Sequence, residues 1–141
     1  MYFKVTSNDL SSLYGQRFPK YAVQYKVGEF VSPIAGKLFC YHLDHFKISF
    51  PEYSRFDENT NRSKLWICEC ENPIKTKIHP LYVEYVNSYI EQYKITEYTT
   101  GILQSCWRRK VILADQIKLV RQVTLAEVKR IYEETYVSSS N

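Results

Sequence analysis

Residues Leu65 to Glu71 read LWICECE, and the fold depends on how this stretch is taken. Two cysteines one residue apart, interleaved with two glutamates, fit three things: a metal or redox site, an acidic catalytic pair, or a plain β-strand. Side chains alternate across a strand, so Leu65, Ile67 and Glu69 share one face and Trp66, Cys68 and Cys70 the other. The second set is wholly apolar. The segment therefore reads as a strand with Trp66, Cys68 and Cys70 toward the core and Glu69 and Glu71 on a solvated face.

Working outward, Tyr2–Val5 reads as an opening strand closed by the turn-forming Ser7-Asn8-Asp9. Residues 21–27 read as a strand, Gly28 as a tight turn, Glu29–Val31 as a resumption, and Leu38–His42 as a further strand. Leu43–Phe50 carries one or two helical turns with Asp44 as a cap, and the polar run 51–64 is a long loop. Beyond LWICECE, Pro80 fits a first helical position, with Tyr82, Val86, Tyr89 and Tyr93 at helical spacing behind it, giving a helix to about Lys94. Cys106–Leu113 and Ile117–Val123 look like a strand pair about Ala114-Asp115-Gln116. Thr124-Leu-Ala-Glu127 has capping-box spacing and predicts a helix from Leu125 to about Thr135. The expectation is a single α+β domain over 1–136, with a mainly antiparallel sheet, two longer helices and a disordered tail at 137–141.

Composition agrees with one globular domain. The chain has 141 residues, 45% hydrophobic and 24% charged, enough to bury a core without disulfide staples. The 13 tyrosines suit half-buried strands and contact surfaces alike. No apolar signal core opens the sequence and no run is long enough to span a bilayer, so a reduced, cytoplasmic protein with no membrane association is expected. The Asn61-Arg62-Ser63 sequon would then stay unmodified.

Four groups of residues could carry chemistry. The net charge is +4, and the stretch 101–123 holds Arg108, Arg109, Lys110, Lys118 and Arg121 against Asp115 alone, a local excess equal to that of the whole chain. Trp107, Arg108, Arg109 and Lys110, with Arg121, thus form a basic aromatic strip suited to a host protein or nucleic acid. The plainer reading is an edge strand guarded by charge. Cys40, His42, His45, Cys68 and Cys70 could supply zinc ligands if their strands are neighbours, but zinc knuckles use C-x2-C, and buried cysteine packing is the plainer reading. Glu69 and Glu71 share a face, as a carboxylate pair requires. The tyrosines of 81–93, Tyr85 and Tyr93 among them, are core packing with tips open to a partner. No phosphate-binding loop, dinucleotide fingerprint, serine-hydrolase elbow or zinc-protease motif occurs, which argues for a non-enzymatic binding module with no cofactor.

The segments Tyr25–Val31, Gly36–His42 with Phe46 after it, Leu65–Glu71 and Lys110–Val123, under half the chain, resemble a loose group of small uncharacterised phage and viral proteins. That resemblance implies an α+β fold and a phage or viral factor. The strand order is also similar to the split-sheet core of ADP-ribosyltransferase-like domains, some of them small phage inhibitors of bacterial defence. In the arginine-directed enzymes an E-x-E pair acts at the nicotinamide ribose, which Glu69-Cys70-Glu71 matches in spacing. Here Tyr2-Phe3-Lys4 lacks the His or Arg that holds the dinucleotide, and E-x-E lies mid-chain. The resemblance therefore implies, as the alternative to a binding module, an ADP-ribosyltransferase-like enzyme using Glu69 and Glu71 or, given these departures, its catalytically silent relative.

Overall fold

The computed structural model describes residues 1–12, 20, 22–45, 62–76, 83, 87 and 111–137. Seven strands dominate it: β1 (Tyr2–Ser7), β2 (Phe30–Val31), β3 (Leu38–His42), β4 (Ser63–Glu71), β5 (Ile74–Thr76), β6 (Val111–Ala114) and β7 (Gln116–Val123). They form one sheet in the order β2-β7-β4-β1-β3-β6-β5, with every ladder antiparallel. One α-helix, α1 (Leu125–Tyr132), follows β7 and runs into a π-helical turn at Glu133–Val137.

The protein is thus largely β, which corrects the expected α+β architecture with two longer helices. The antiparallel sheet was anticipated, but its extent was not. Strands buried on both faces show continuous apolar runs instead of alternation, so they understate themselves in a pattern search. LFCYH and VILA are of this kind, buried at nearly every position. Polar residues also extend strands at both ends, as with Thr6-Ser7 on β1 and Ser63-Lys64 on β4. Of the second expected helix, Val83 and Asn87 are helical and the remainder lies outside the described residues. Residues 22–27, read as strand, contribute only isolated bridges, Gln24 to Ser11 and Val27 to Leu119.

A second correction concerns the pair flanking Asp115. β6 and β7 do not pair with each other: β6 lies between β3 and β5, and β7 between β2 and β4. Instead, β4 continues into β5 through Asn72-Pro73 while β7 continues back into β6 through Asp115, so one two-stranded ribbon turns a corner there. Asn72 takes φ 52°, a left-handed conformation that asparagine tolerates better than most residues. Its side-chain amide donates to Asp115 Oδ2 at 2.8 Å, the Asp115 amide donates to Glu71 O at 2.9 Å, and Lys37 Nζ pairs with Asp115 Oδ1.

The corner folds the sheet over on itself. Stepping between hydrogen-bonded neighbours from β7 to β4, β1, β3 and β6 leads back to β7, since only Asp115 separates the last two. One apolar cluster fills the concave side, with Tyr25, Leu38, Trp66, Ile112, Ile117 and Leu119 among its members. A second covers the other side, where Phe3, Val5, Tyr41, Leu65, Leu113 and Val123 meet Val83 and Val128 of the helical segments. Both faces of β4 are therefore buried, whereas a single core face was expected.

A bulge makes this possible. Ile67 pairs with Arg121 and Cys68 with Leu119, leaving Val120 as the extra residue. Ile117 and Leu119 point into the concave cluster, yet Val123 joins the helix-covered one. In a regular strand of this same sequence, with Val120 paired and no bulge, all three would share a face. α1 then starts at Thr124, whose hydroxyl accepts from the Glu127 amide at 3.1 Å, as the capping spacing predicts.

Candidate functional site

The concave side holds a cluster of three thiols. Cys68 stands opposite Tyr2 of β1, Cys70 opposite Ile117 of β7, and Cys40 on β3 opposite Ile112 of β6. Strand alternation puts Cys68 and Cys70 on one face, their sulfurs 4.0 Å apart. Cys40 and Cys70 lie on strands separated by β1, which on a flat sheet would hold them about 10 Å apart or more. Their sulfurs are 2.9 Å apart, because the corner brings β3 across to the end of β4. All three sulfurs lie within 4.8 Å of one another, and all three cysteines are free.

Burial and mutual hydrogen bonding divide the three. Cys40 and Cys68 are buried, and desolvation pushes both thiols well above the ordinary range. Cys70 is half-buried, and the Cys40 and Cys68 thiols aimed at its sulfur hold it below that range. The arrangement favours one thiolate, on Cys70, with two thiols beside it.

The fully buried Lys4 belongs to the same interior. Its ammonium donates to Phe39 O at 2.7 Å, lies 3.7 Å from the centroid of the Phe39 ring, and acts through its charge on Cys68 and Cys70. Trp66 completes the polar equipment of this face by donating to Thr6 Oγ1 at 3.0 Å. Lys4 was not singled out in the sequence. The available signal was its alternation with Tyr2 and Thr6, which share its face.

The other expected site residues fall elsewhere. His42 Nδ1 accepts from the Asp44 amide at 3.1 Å, its ring stands edge-on to Tyr2, and it is not among the convergent ligand atoms. His45 ends a 3-10 turn, Leu43–His45. Glu69 pairs with Lys118 at 2.9 Å, and Glu71 is exposed at the end of β4. Trp107, Arg108, Arg109 and Lys110 lie outside the described residues, as do Cys106, Tyr85 and Tyr93.

Arg121 is described, and it marks a second feature. The pairing of β2 with β7 covers Ile117 and Lys118, and the neighbouring segment adds one bridge from Val27 to Leu119, with the Gly28 amide donating to Leu119 O at 2.8 Å. Past Leu119, among the described residues, β7 has β4 as its only strand partner. Val120, Arg121 and Gln122 are exposed there. Arg121 reaches Glu127 at 2.8 Å but keeps about half its side chain in solvent, 53%. Val27 and Phe30 add exposed apolar surface beside them, with Lys118 Nζ 5.0 Å from the centroid of the Phe30 ring.

No family model, curated protein or solved structure matches the chain. No helix among the described residues is long and apolar enough to cross a membrane.

Proposed function

We propose that the protein is a non-enzymatic binding module that takes an extended, acidic polypeptide segment along the free edge of β7. The observation that carries this reading is the end of strand pairing at Leu119 among the described residues, past which exposed Val120, Arg121 and Gln122 continue β7 with β4 as the one described strand partner. An open strand edge offers backbone donors and acceptors to an added strand, and the flanking side chains select its sequence. Here those side chains are apolar (Val27, Phe30, Val120) and cationic (Lys118, Arg121), which suits a segment mixing apolar and acidic residues. The basic run Arg108-Arg109-Lys110 adds to the same preference through its sequence charge. A phage or viral factor working on a host protein in a reducing interior is the setting we assign to such a module.

Fluorescence anisotropy tests the proposal with two labelled probes, an extended peptide alternating valine and glutamate and a single-stranded oligonucleotide of equal charge. The peptide should bind, and Arg121→Glu should weaken it by about tenfold or more, as expected when a charge pair becomes a like-charge contact. Equal peptide binding by wild type and variant would place the contact elsewhere. Preference for the oligonucleotide would make the protein a nucleic-acid binder.

A further inference from the structure

We propose that Cys40, Cys68 and Cys70 form a three-thiolate site for one divalent, thiophilic d10 cation of the zinc class, inside the curled sheet. This goes beyond the peptide-binding reading and does not depend on it.

Three observations converge. First, the sulfurs come from two strands that are not neighbours and meet only because the ribbon turns its corner at Asn72 and Asp115, yet all lie within 4.8 Å of one another. Thiolates around an ion at about 2.3 Å stand about 3.8 to 4.0 Å apart. Cys68 and Cys70 already have that spacing, at 4.0 Å. Cys40 and Cys70, at 2.9 Å, would separate by about an ångström, and Cys70 is the half-exposed member near the strand end that can yield.

Second, soft sulfur donors select soft or borderline ions, and the Leu38, Trp66, Ile112 and Ile117 side chains of the same cluster carry no oxygen. Third, the charges cancel. Three thiolates and a divalent ion carry one net negative charge, and the buried Lys4 ammonium that acts on Cys68 and Cys70 supplies one positive charge. A monovalent ion would leave a buried negative charge uncompensated. On binding, each thiol gives its proton to solvent as its sulfur–metal bond forms, with no change of oxidation state. The fourth position opens toward the half-exposed side of Cys70, as in zinc sites with three protein ligands.

The test uses the full chain, reduced and stripped of metal, titrated with Zn(II) against a chromophoric chelator and with Cd(II) by thiolate-to-metal ultraviolet absorption. One equivalent of each should bind, with the Cd(II) absorption of three thiolates. Cys70→Ser should lower affinity at least about a hundredfold, because even losing an outer partner of a ligand costs 10- to 100-fold. Cys106→Ser should leave uptake unchanged. Bound Zn(II) should also shield Cys70 of the unmutated chain from iodoacetamide, a readout that survives if Cys70→Ser fails to fold. No uptake by folded protein, uptake indifferent to Cys70→Ser, uptake lost in Cys106→Ser, or unshielded Cys70 would each overturn the assignment.

Discussion

The two halves of β7 are built from similar residues and do opposite things. From Gln116 to Leu119 the strand has neighbours on both sides, and Ile117 and Leu119 are fully buried in the concave cluster. From Val120 to Gln122 it has one neighbour among the described residues, and every residue is exposed. The change occurs at one inserted residue. A bulge reverses the faces of the strand at the point where its outer partner ends, so one strand serves as interior wall and then as contact edge. Position within the sheet, more than composition, sets the role of each half.

Lengthening the strand at its bulge should have the largest effect. One alanine inserted between Leu119 and Val120 would slip the rest of β7 by one residue if the single-residue bulge is kept, turning Val123 away from the helix-covered cluster and Arg121 toward the concave one. The expected loss exceeds about 4 kcal/mol, read as collapse of the cooperative transition in chemical denaturation. Truncating the buried half comes next. Leu119→Ala should cost about 3 kcal/mol in the same assay, whereas a loss under about 1 kcal/mol would mean that the concave side is loosely packed.

Trp66→Phe sharpens the same contrast across the ladder, since Trp66 sits opposite Gln122 but turns inward. Losing the indole donor leaves the Thr6 hydroxyl with its bond to Ser7 O at 2.9 Å and should cost about 1 kcal/mol. At the start of β7, Lys37 and Asn72 hold the Asp115 carboxyl below its ordinary value of 3.8. A lowered folded value means that the carboxylate stabilises the corner above that pH and loses its contribution as pH falls through the lowered value. The stability difference between wild type and Asp115→Asn should therefore shrink below pH 3.8, and a constant difference would show that the charge is idle. Smallest of all, Arg121→Ala should change stability by under about 0.5 kcal/mol, since its ion pair is exposed.

The same contrast explains what was legible in the sequence. Alternation placed Cys68 and Cys70 together and inward, and the capping box located the start of α1 at Leu125, because both signals are local. The bulge was not legible, since Ile117, Leu119, Arg121 and Val123 keep a period of two in sequence while the backbone reverses it. Nor was the corner: Ala114-Asp115-Gln116 reads as a hairpin turn, and only its contacts with Asn72, Lys37 and Glu71 show a ribbon bending. The sequence offered Cys40 as a companion of Cys68 and Cys70 only if their strands were neighbours; β1 separates them, and the corner is what brings Cys40 to Cys70. Lys4 looked like an ordinary strand charge because its burial comes from β3 and Tyr25, both distant in the chain.

Amide hydrogen exchange across β7, in the full chain with and without the valine-glutamate peptide, tests the binding edge most directly. Slow exchange is expected through Ile117–Leu119 and weak protection over Val120–Gln122 in the free protein, with protection of the second segment gained on peptide addition and absent in Arg121→Glu. Equal protection of both segments in the free protein, or no gain with saturating peptide, would contradict the binding edge.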